Sequence, residues 1–181
     1  MGLLDGKVII VTGGGHGIGK AYCRGIAREG GVAIAADIDE QAAKDAAKAI
    51  QNSGGKALGI RVDVANLASC QTMAEKSLQA FGKIDGLVNN AAIFMTVPAE
   101  KGGWQEITEE AWDRIMAVNV KGLWLCSRAV VPAYATTKRG KRRKYFVQYG
   151  VQWWAYNDAL RCFEGGGGGF QPGASARARR R

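Results

Sequence analysis

Several features that would define a function outright are missing from this sequence. It has one histidine, His16, and four cysteines (Cys23, Cys70, Cys126 and Cys162) that stand far apart with no paired spacing. That excludes a disulfide framework and a zinc site and predicts no bound metal. The thiols read as core filler in a reducing compartment, the cytoplasm. No apolar run approaches the roughly 20 residues that cross a bilayer. The opening MGLLDGKVIIVTGG puts an acid ahead of a short apolar run and offers no cleavage-like site, so no signal peptide is expected. What is present is ordinary for a globular chain: 47% hydrophobic and 23% charged over 181 residues, the size of one domain.

Acid is scarce in one place only. Residues 1–137 carry 14 basic and 14 acidic side chains, whereas residues 138–181 carry 11 basic ones against Asp158 and Glu164. The whole net charge of +9 therefore sits in the last quarter. The chain divides into two stretches of different character, 1–137 and 138–181, and they need separate readings.

The first stretch alternates β-branched runs with helical spacing. Strands are expected at Lys7–Thr12, Val32–Asp37, Lys56–Val62 and Ile84–Asn89. Helices are expected at Ile18–Glu29, Glu40–Ser53 and Leu67–Phe81, and a long one at Thr108–Tyr134 with Thr108, Glu109 and Glu110 suited to its first turn. Such alternation means an α/β fold with a parallel, doubly wound sheet.

The turn after the first strand reads Thr12-Gly13-Gly14-Gly15-His16-Gly17-Ile18-Gly19. Glycines here let the backbone approach a pyrophosphate, and the helix opening near Gly17 aims free N–H groups and a positive dipole end at it. Asp37 follows 24 residues after Gly13, at the end of the second strand. An acid there can accept from both ribose hydroxyls and would repel a 2′-phosphate, so the site is expected to take NAD rather than NADP. His16 reads as a turn residue, not a catalyst.

The turn at 12–19, Asp37, Asp63-Val64, Asn89-Asn90-Ala91-Ala92 and Asn119 within VNVKG together resemble the short-chain dehydrogenase/reductase family. The resemblance covers residues 5–133. The family's usual Asn-Asn-Ala-Gly stands here as Asn-Asn-Ala-Ala. The resemblance implies a Rossmann-like NAD(P)-binding fold with strands ordered 3-2-1-4. It implies that Asp63 and Val64 contact adenine, that Asn90, with Ala91 and Ala92, lies along the cofactor, and that Asn119 belongs to a catalytic relay. It also implies a small-molecule alcohol or ketone as substrate and a homo-oligomer.

The same resemblance implies a fifth strand ending in a catalytic Ser, then Tyr-x-x-x-Lys on a long helix. Such a Tyr exchanges the proton of the substrate oxygen, the Lys lowers its pKa, and the Ser polarises the carbonyl. Family spacing puts the Ser and the Tyr at the positions held here by Val147 and Leu160, and no serine lies between Ser127 and Ser175. Tyr134-Ala-Thr-Thr-Lys138 has the right internal spacing but comes too soon after Asn119 to serve.

Residues 138–181 show neither periodicity, with Gly165–Gly169 and an Arg-Ala ending, and read as an irregular tail. They do read as out-of-frame text. Taking the last two bases of each codon with the first of the next, Trp153 to Ala155 forces Gly-Gly. The junctions from Leu160/Arg161 to Glu164/Gly165 permit Tyr-Val-Ala-Ser-Lys. Phe146/Val147 and Val147/Gln148 permit Ser-Ser, and Phe170 to Arg181 permits Phe-Ser-Arg-Ala-Leu-Ala-Arg-Glu-Leu-Gly. The reading places a frame change near residues 138–144, leaves the fourth strand's edge unpaired, and removes the family's oligomer interface. Two alternatives stand beside a dehydrogenase by descent: an NAD-binding relic without turnover, and a module whose Lys138–Lys144 patch binds nucleic acid or a membrane. The charge and aromatics of the tail follow from the frame change without either partner, so neither nucleic acid nor membrane is expected. Phe94, Met95 and the segment around Trp104 are candidates for lining a substrate pocket.

Overall fold

Within Lys7–Thr12 four consecutive β-branched apolar residues, Val8 to Val11, are suited to a buried sheet, and Val8–Thr12 forms the central strand β1. The computed structural model describes residues 2–93, 107–134 and 146–149. Around β1, the order along the chain is α1 (Gly17–Arg28), β2 (Val32–Asp37), α2 (Glu40–Asn52), β3 (Lys56–Arg61), α3 (Leu67–Phe81), β4 (Gly86–Asn89), α4 (Glu109–Met116), a π-helical turn (Ala117–Lys121), α5 (Gly122–Tyr134) and β5 (Phe146–Tyr149). The pocket candidates Phe94, Met95 and Trp104, the side chain of Tyr134, and Lys138 lie outside the described residues.

The sheet is parallel throughout, ordered β3-β2-β1-β4-β5. Both its faces are covered, so its central strands carry apolar residues in succession rather than alternating, up to Thr12, Asp37 and Asn89 at their carboxyl ends. Val8, Ile10, Ile34 and Leu87 pack with Met73 of α3 and Leu125 and Val130 of α5 on one side. Val11, Ala33 and Ala35 pack with Cys23 and Ile26 of α1 and Ala47 and Ile50 of α2 on the other. Burying each large aliphatic contributes about 1.5–3 kcal/mol.

The helix ends follow local chemistry. The Asp39 carboxylate caps α2 by accepting from the Ala42 N–H, and the Asn66 side chain caps α3 by accepting from the Ser69 N–H. Thr108 caps α4 by accepting from the Ala111 N–H. The single helix expected over Thr108–Tyr134 is broken in its middle by the π-helical turn, where one extra residue re-aims the side chains.

The expected strand order 3-2-1-4 is present, and β5 corrects the expectation of an unpaired β4 edge. This strand lies within 138–181 and pairs parallel with β4 from Gly86↔Phe146 to Asn89↔Tyr149. Phe, Val and Tyr favour extended backbone, and a ladder is built from main-chain groups. Any extended segment in reach can therefore satisfy the β4 amides and carbonyls.

Candidate functional site

The sequence-predicted residues gather at the carboxyl ends of β1 to β4, where open α/β sheets place their binding crevice. Gly13 has φ 65°, and a Cβ there would stand 2.9 Å from Asn90 Nδ2 and 3.0 Å from the Ala91 Cα. A Cβ on Gly19 would fall on the Gly13 carbonyl oxygen. Only glycine lets the turn and the start of α1 lie this close to the β4 exit.

Asp37, buried at the end of β2, is tied to the turn. Its Oδ2 accepts the Gly15 N–H at 2.9 Å, and its Oδ1 accepts the Asp39 N–H at 3.1 Å. His16, Gly17 and Ile18 are exposed at the head of α1. His16 stands at the N-cap without making a side-chain cap hydrogen bond, and the first turn of α1 holds no acid. The first amides of α1 thus meet no carboxylate or hydroxyl of their own helix, which suits an external anion. His16 Nε2 lies 3.4 Å from Asp39 Oδ2. The Asp39 carboxyl is held below its ordinary range, chiefly by the Ala42 N–H and further by His16.

Thr12 turns its hydroxyl inward. It donates to the Val88 carbonyl at 3.3 Å and accepts from the Asn90 and Ala91 N–H groups, each at 3.0 Å. Asn90 Nδ2 donates to the carbonyls of Thr12 (3.0 Å) and Gly13 (3.3 Å). The ends of β1 and β4 are thereby locked together. Ala92 is exposed just beyond.

Asn119 sits in the π-helical turn and closes a two-bond ring on the next residue of the β4 exit. Its Oδ1 accepts the Ile93 N–H at 2.8 Å and its Nδ2 donates to the Ile93 carbonyl at 3.0 Å. Asp63 and Val64 form the turn after β3. Asp63 Oδ1 accepts the Ala65 N–H, and the Asp63 N–H donates to Ser69 Oγ, both at 2.9 Å. Val64 meets the helix at Gly122, where a Cβ would stand 3.0 Å from Val64 Cγ2.

The structure thus joins Thr12, Gly13, Gly19, Asn90 and Ala91 in one cluster, Gly15 with Asp37, and Asn119 with Ile93. The roles of Ile93 and of Ser127, which receives Asn89 Nδ2 at 3.3 Å, were not legible in sequence, because such partners lie dozens of residues away. Among the described residues no cluster of His, Cys, Asp and Glu could hold a metal ion, and no helix is long and apolar enough to cross a membrane.

A parallel sheet in this order, with a glycine turn leading into a helix at its centre, defines a Rossmann-like protein. A family model described as short chain dehydrogenase matches residues 7–141, and the chain belongs to that family. Cyclopentanol dehydrogenase of Comamonas sp. (strain NCIMB 9872) is 34% identical over 140 residues, covering 77% of this chain and 54% of that protein. Sorbitol dehydrogenase of Cereibacter sphaeroides is 39% identical over 137 residues, covering 76% and 50% respectively. The solved structure of 3-ketoacyl-(acyl-carrier-protein) reductase from Brucella melitensis, complexed with NADH, superposes with a TM-score of 0.65. It is 32% identical and covers 72% of this chain and 50% of that one. The chain spans about half the length of the curated relatives it matches.

Proposed function

We propose that this chain is an NAD-dependent short-chain oxidoreductase by descent, built for a secondary alcohol or ketone, that retains the dinucleotide site and lacks the proton-transfer groups. The bond between Gly15 and Asp37 carries the cofactor half of this reading. It sets a carboxylate beside the uncapped head of α1, so that one end of the crevice suits a diphosphate and the other a diol. On this reading Gly13, Gly15, His16, Gly17, Ile18 and Gly19 would hold the pyrophosphate, with Thr12 bracing the turn from inside. Asp37 would hold the ribose, Asp63 and Val64 the adenine, and Asn90, Ala91 and Ala92 the nicotinamide half. When bound, NAD supplies the hydride acceptor. Asn119 would remain as the relay residue, its side chain engaged by Ile93.

The catalytic half of the reading rests on the tail. With Val147 and Leu160 at the family's Ser and Tyr positions, neither position carries a hydroxyl to move the proton of an alcohol. Turnover is therefore expected to be absent or orders of magnitude low. The frame change near residues 138–144 accounts for that loss. It also accounts for the basic charge, so the tail is assigned no nucleic-acid or membrane partner, and the oligomer interface goes with it. The chain then consists of a dinucleotide domain over 1–137 and an unrelated 138–181, in the cytoplasm.

Calorimetric titration with NAD and NADP, alongside assays with cyclopentanol and sorbitol, tests both halves. NAD is expected to bind in preference to NADP, and Asp37→Ala to weaken NAD about ten-fold or more, since a charged acceptor for hydroxyls is lost. No NAD binding would remove the cofactor half, and ordinary dehydrogenase rates would remove the catalytic half. Restoring the alternative frame is expected to restore turnover.

A further inference from the structure

Cys70, in the first turn of α3, and Cys126, inside α5, are both fully buried, and their sulfurs stand 3.6 Å apart in hydrogen-bond contact. The sequence separates them by 56 positions, so nothing in it marked them as a pair. The same Cys70 thiol also faces the carbonyls of Asp63 (3.8 Å) and Val64 (3.6 Å), which form the turn after β3. Cys23, the other buried free cysteine among the described residues, faces only the Gly14 carbonyl, at 4.0 Å.

We propose that Cys70 and Cys126 are a dithiol oxidation site, convertible by a peroxide to a disulfide that ties α3 to α5 and releases the Asp63–Val64 turn. A disulfide needs its sulfurs at about 2.05 Å, so the two must close by about 1.5 Å. In the first step the Cys70 sulfur attacks one peroxide oxygen, the O–O bond breaks, water leaves and a sulfenic acid forms. In the second, the Cys126 sulfur attacks the sulfenic sulfur, its proton leaves with the hydroxyl as a second water, and the S–S bond closes. Two thiols lose two electrons in total and one peroxide is reduced to two waters.

The order of attack follows from the hydrogen bond between the thiols. The contact between the sulfurs favours the Cys70 thiolate, whereas the same contact, together with burial, pushes Cys126 up. Burial makes the reaction slow, gated by local opening of α5 from α3. A cytoplasmic disulfide of this kind is transient and redox-responsive rather than structural. In closing toward Cys126, the Cys70 sulfur leaves the Asp63 and Val64 carbonyls. This inference does not depend on which cofactor the site takes.

The full chain is exposed to hydrogen peroxide, denatured, alkylated without reductant and mapped by mass spectrometry. The expected product is a Cys70–Cys126 cross-linked peptide lighter by two hydrogens and reversed by dithiothreitol, with Cys23 still alkylated. Amide exchange at Asp63–Ala65 is expected to rise several-fold in the oxidised chain. In Cys126→Ala the cross-link disappears, Cys70 is trapped by dimedone as the sulfenic acid, and the exchange increase is lost. Both thiols remaining alkylatable under conditions that oxidise the urea-unfolded chain would overturn the proposal. So would Cys70 pairing with Cys23 or Cys162, or an equal exchange increase in Cys126→Ala.

Discussion

Replacing Thr12 by valine keeps the shape of the side chain and removes one hydroxyl, and the structure says what that hydroxyl holds. Thr12 is 1% exposed, so no solvent replaces its Oγ1. The amides of Asn90 and Ala91 lose their acceptor together, and the Val88 carbonyl loses a donor. A buried N–H left without a partner costs about 1–3 kcal/mol. Asn90 and Ala91 are half-buried, so the lower end applies to each, and Thr12→Val should destabilise by about 2–3 kcal/mol. Thr12→Ser is the control, since it keeps the hydroxyl and gives up one methyl, about 1 kcal/mol. Urea unfolding followed by far-ultraviolet circular dichroism, with equal slopes, measures the difference. A valine variant as stable as the parent, with the serine variant destabilised, would show that packing of the methyl, and not the three-bond clamp, closes β1 on β4.

Two further predictions concern the opposite end and the edge of the sheet. Burial alone would raise the pKa of Asp85, but the Val8 N–H at 3.0 Å, Lys83 at 3.0 Å and Lys7 outweigh it and hold the carboxyl below its ordinary range. Its contribution is therefore complete above about pH 4 and is lost as pH falls through the lower folded value. Asp85→Asn should cost about 1.5–3 kcal/mol at neutral pH and flatten the acid limb of stability against pH, and an unchanged limb would contradict the assignment. In β5, Val147 faces Leu87 and Gln148 faces Val88 in register, and in a parallel pair alternate residues bond to the neighbour. One of Val147→Pro and Gln148→Pro should raise amide exchange in β4 while the other is silent, and silence from both would mean the ladder does not form.

How much of this was legible in the sequence depends on the distance over which each feature is decided. Val32–Asp37, Leu67–Phe81 and the capped start at Thr108 were legible to the residue, because strand composition and helix caps are set by neighbours within a few positions. The glycine turn was legible for the same reason. Asp37 could be named from its offset, but not its bond to Gly15. The inward role of Thr12, the ring between Asn119 and Ile93, and the thiol contact of Cys70 with Cys126 join residues 26 to 79 positions apart, and no local pattern encodes them. The π-helical turn was hidden because Ala117–Lys121 lies inside a continuous helical stretch of sequence, with no cap or proline to mark it.

The fifth strand shows why the two halves of the proposed function part company. Pairing along β4 asks only for extended main chain, and Phe146–Tyr149 supplies it in register although Val147 stands where the family resemblance implies a serine. Catalysis asks for more: one hydroxyl at one register position, and another on a helix aimed at the same atom, each held within a fraction of an ångström. A foreign sequence meets the first demand readily and the second almost never. The dinucleotide crevice is protected by the same logic, because among the described residues the bonds that shape it join residues between Thr12 and Ile93 or reach that stretch from Asn119 and Ser127. All of these precede the change of character after residue 137. On the proposed reading, the tail pairs with the sheet and leaves the crevice standing without supplying the proton-transfer groups, and this is the division that NAD binding without turnover would display.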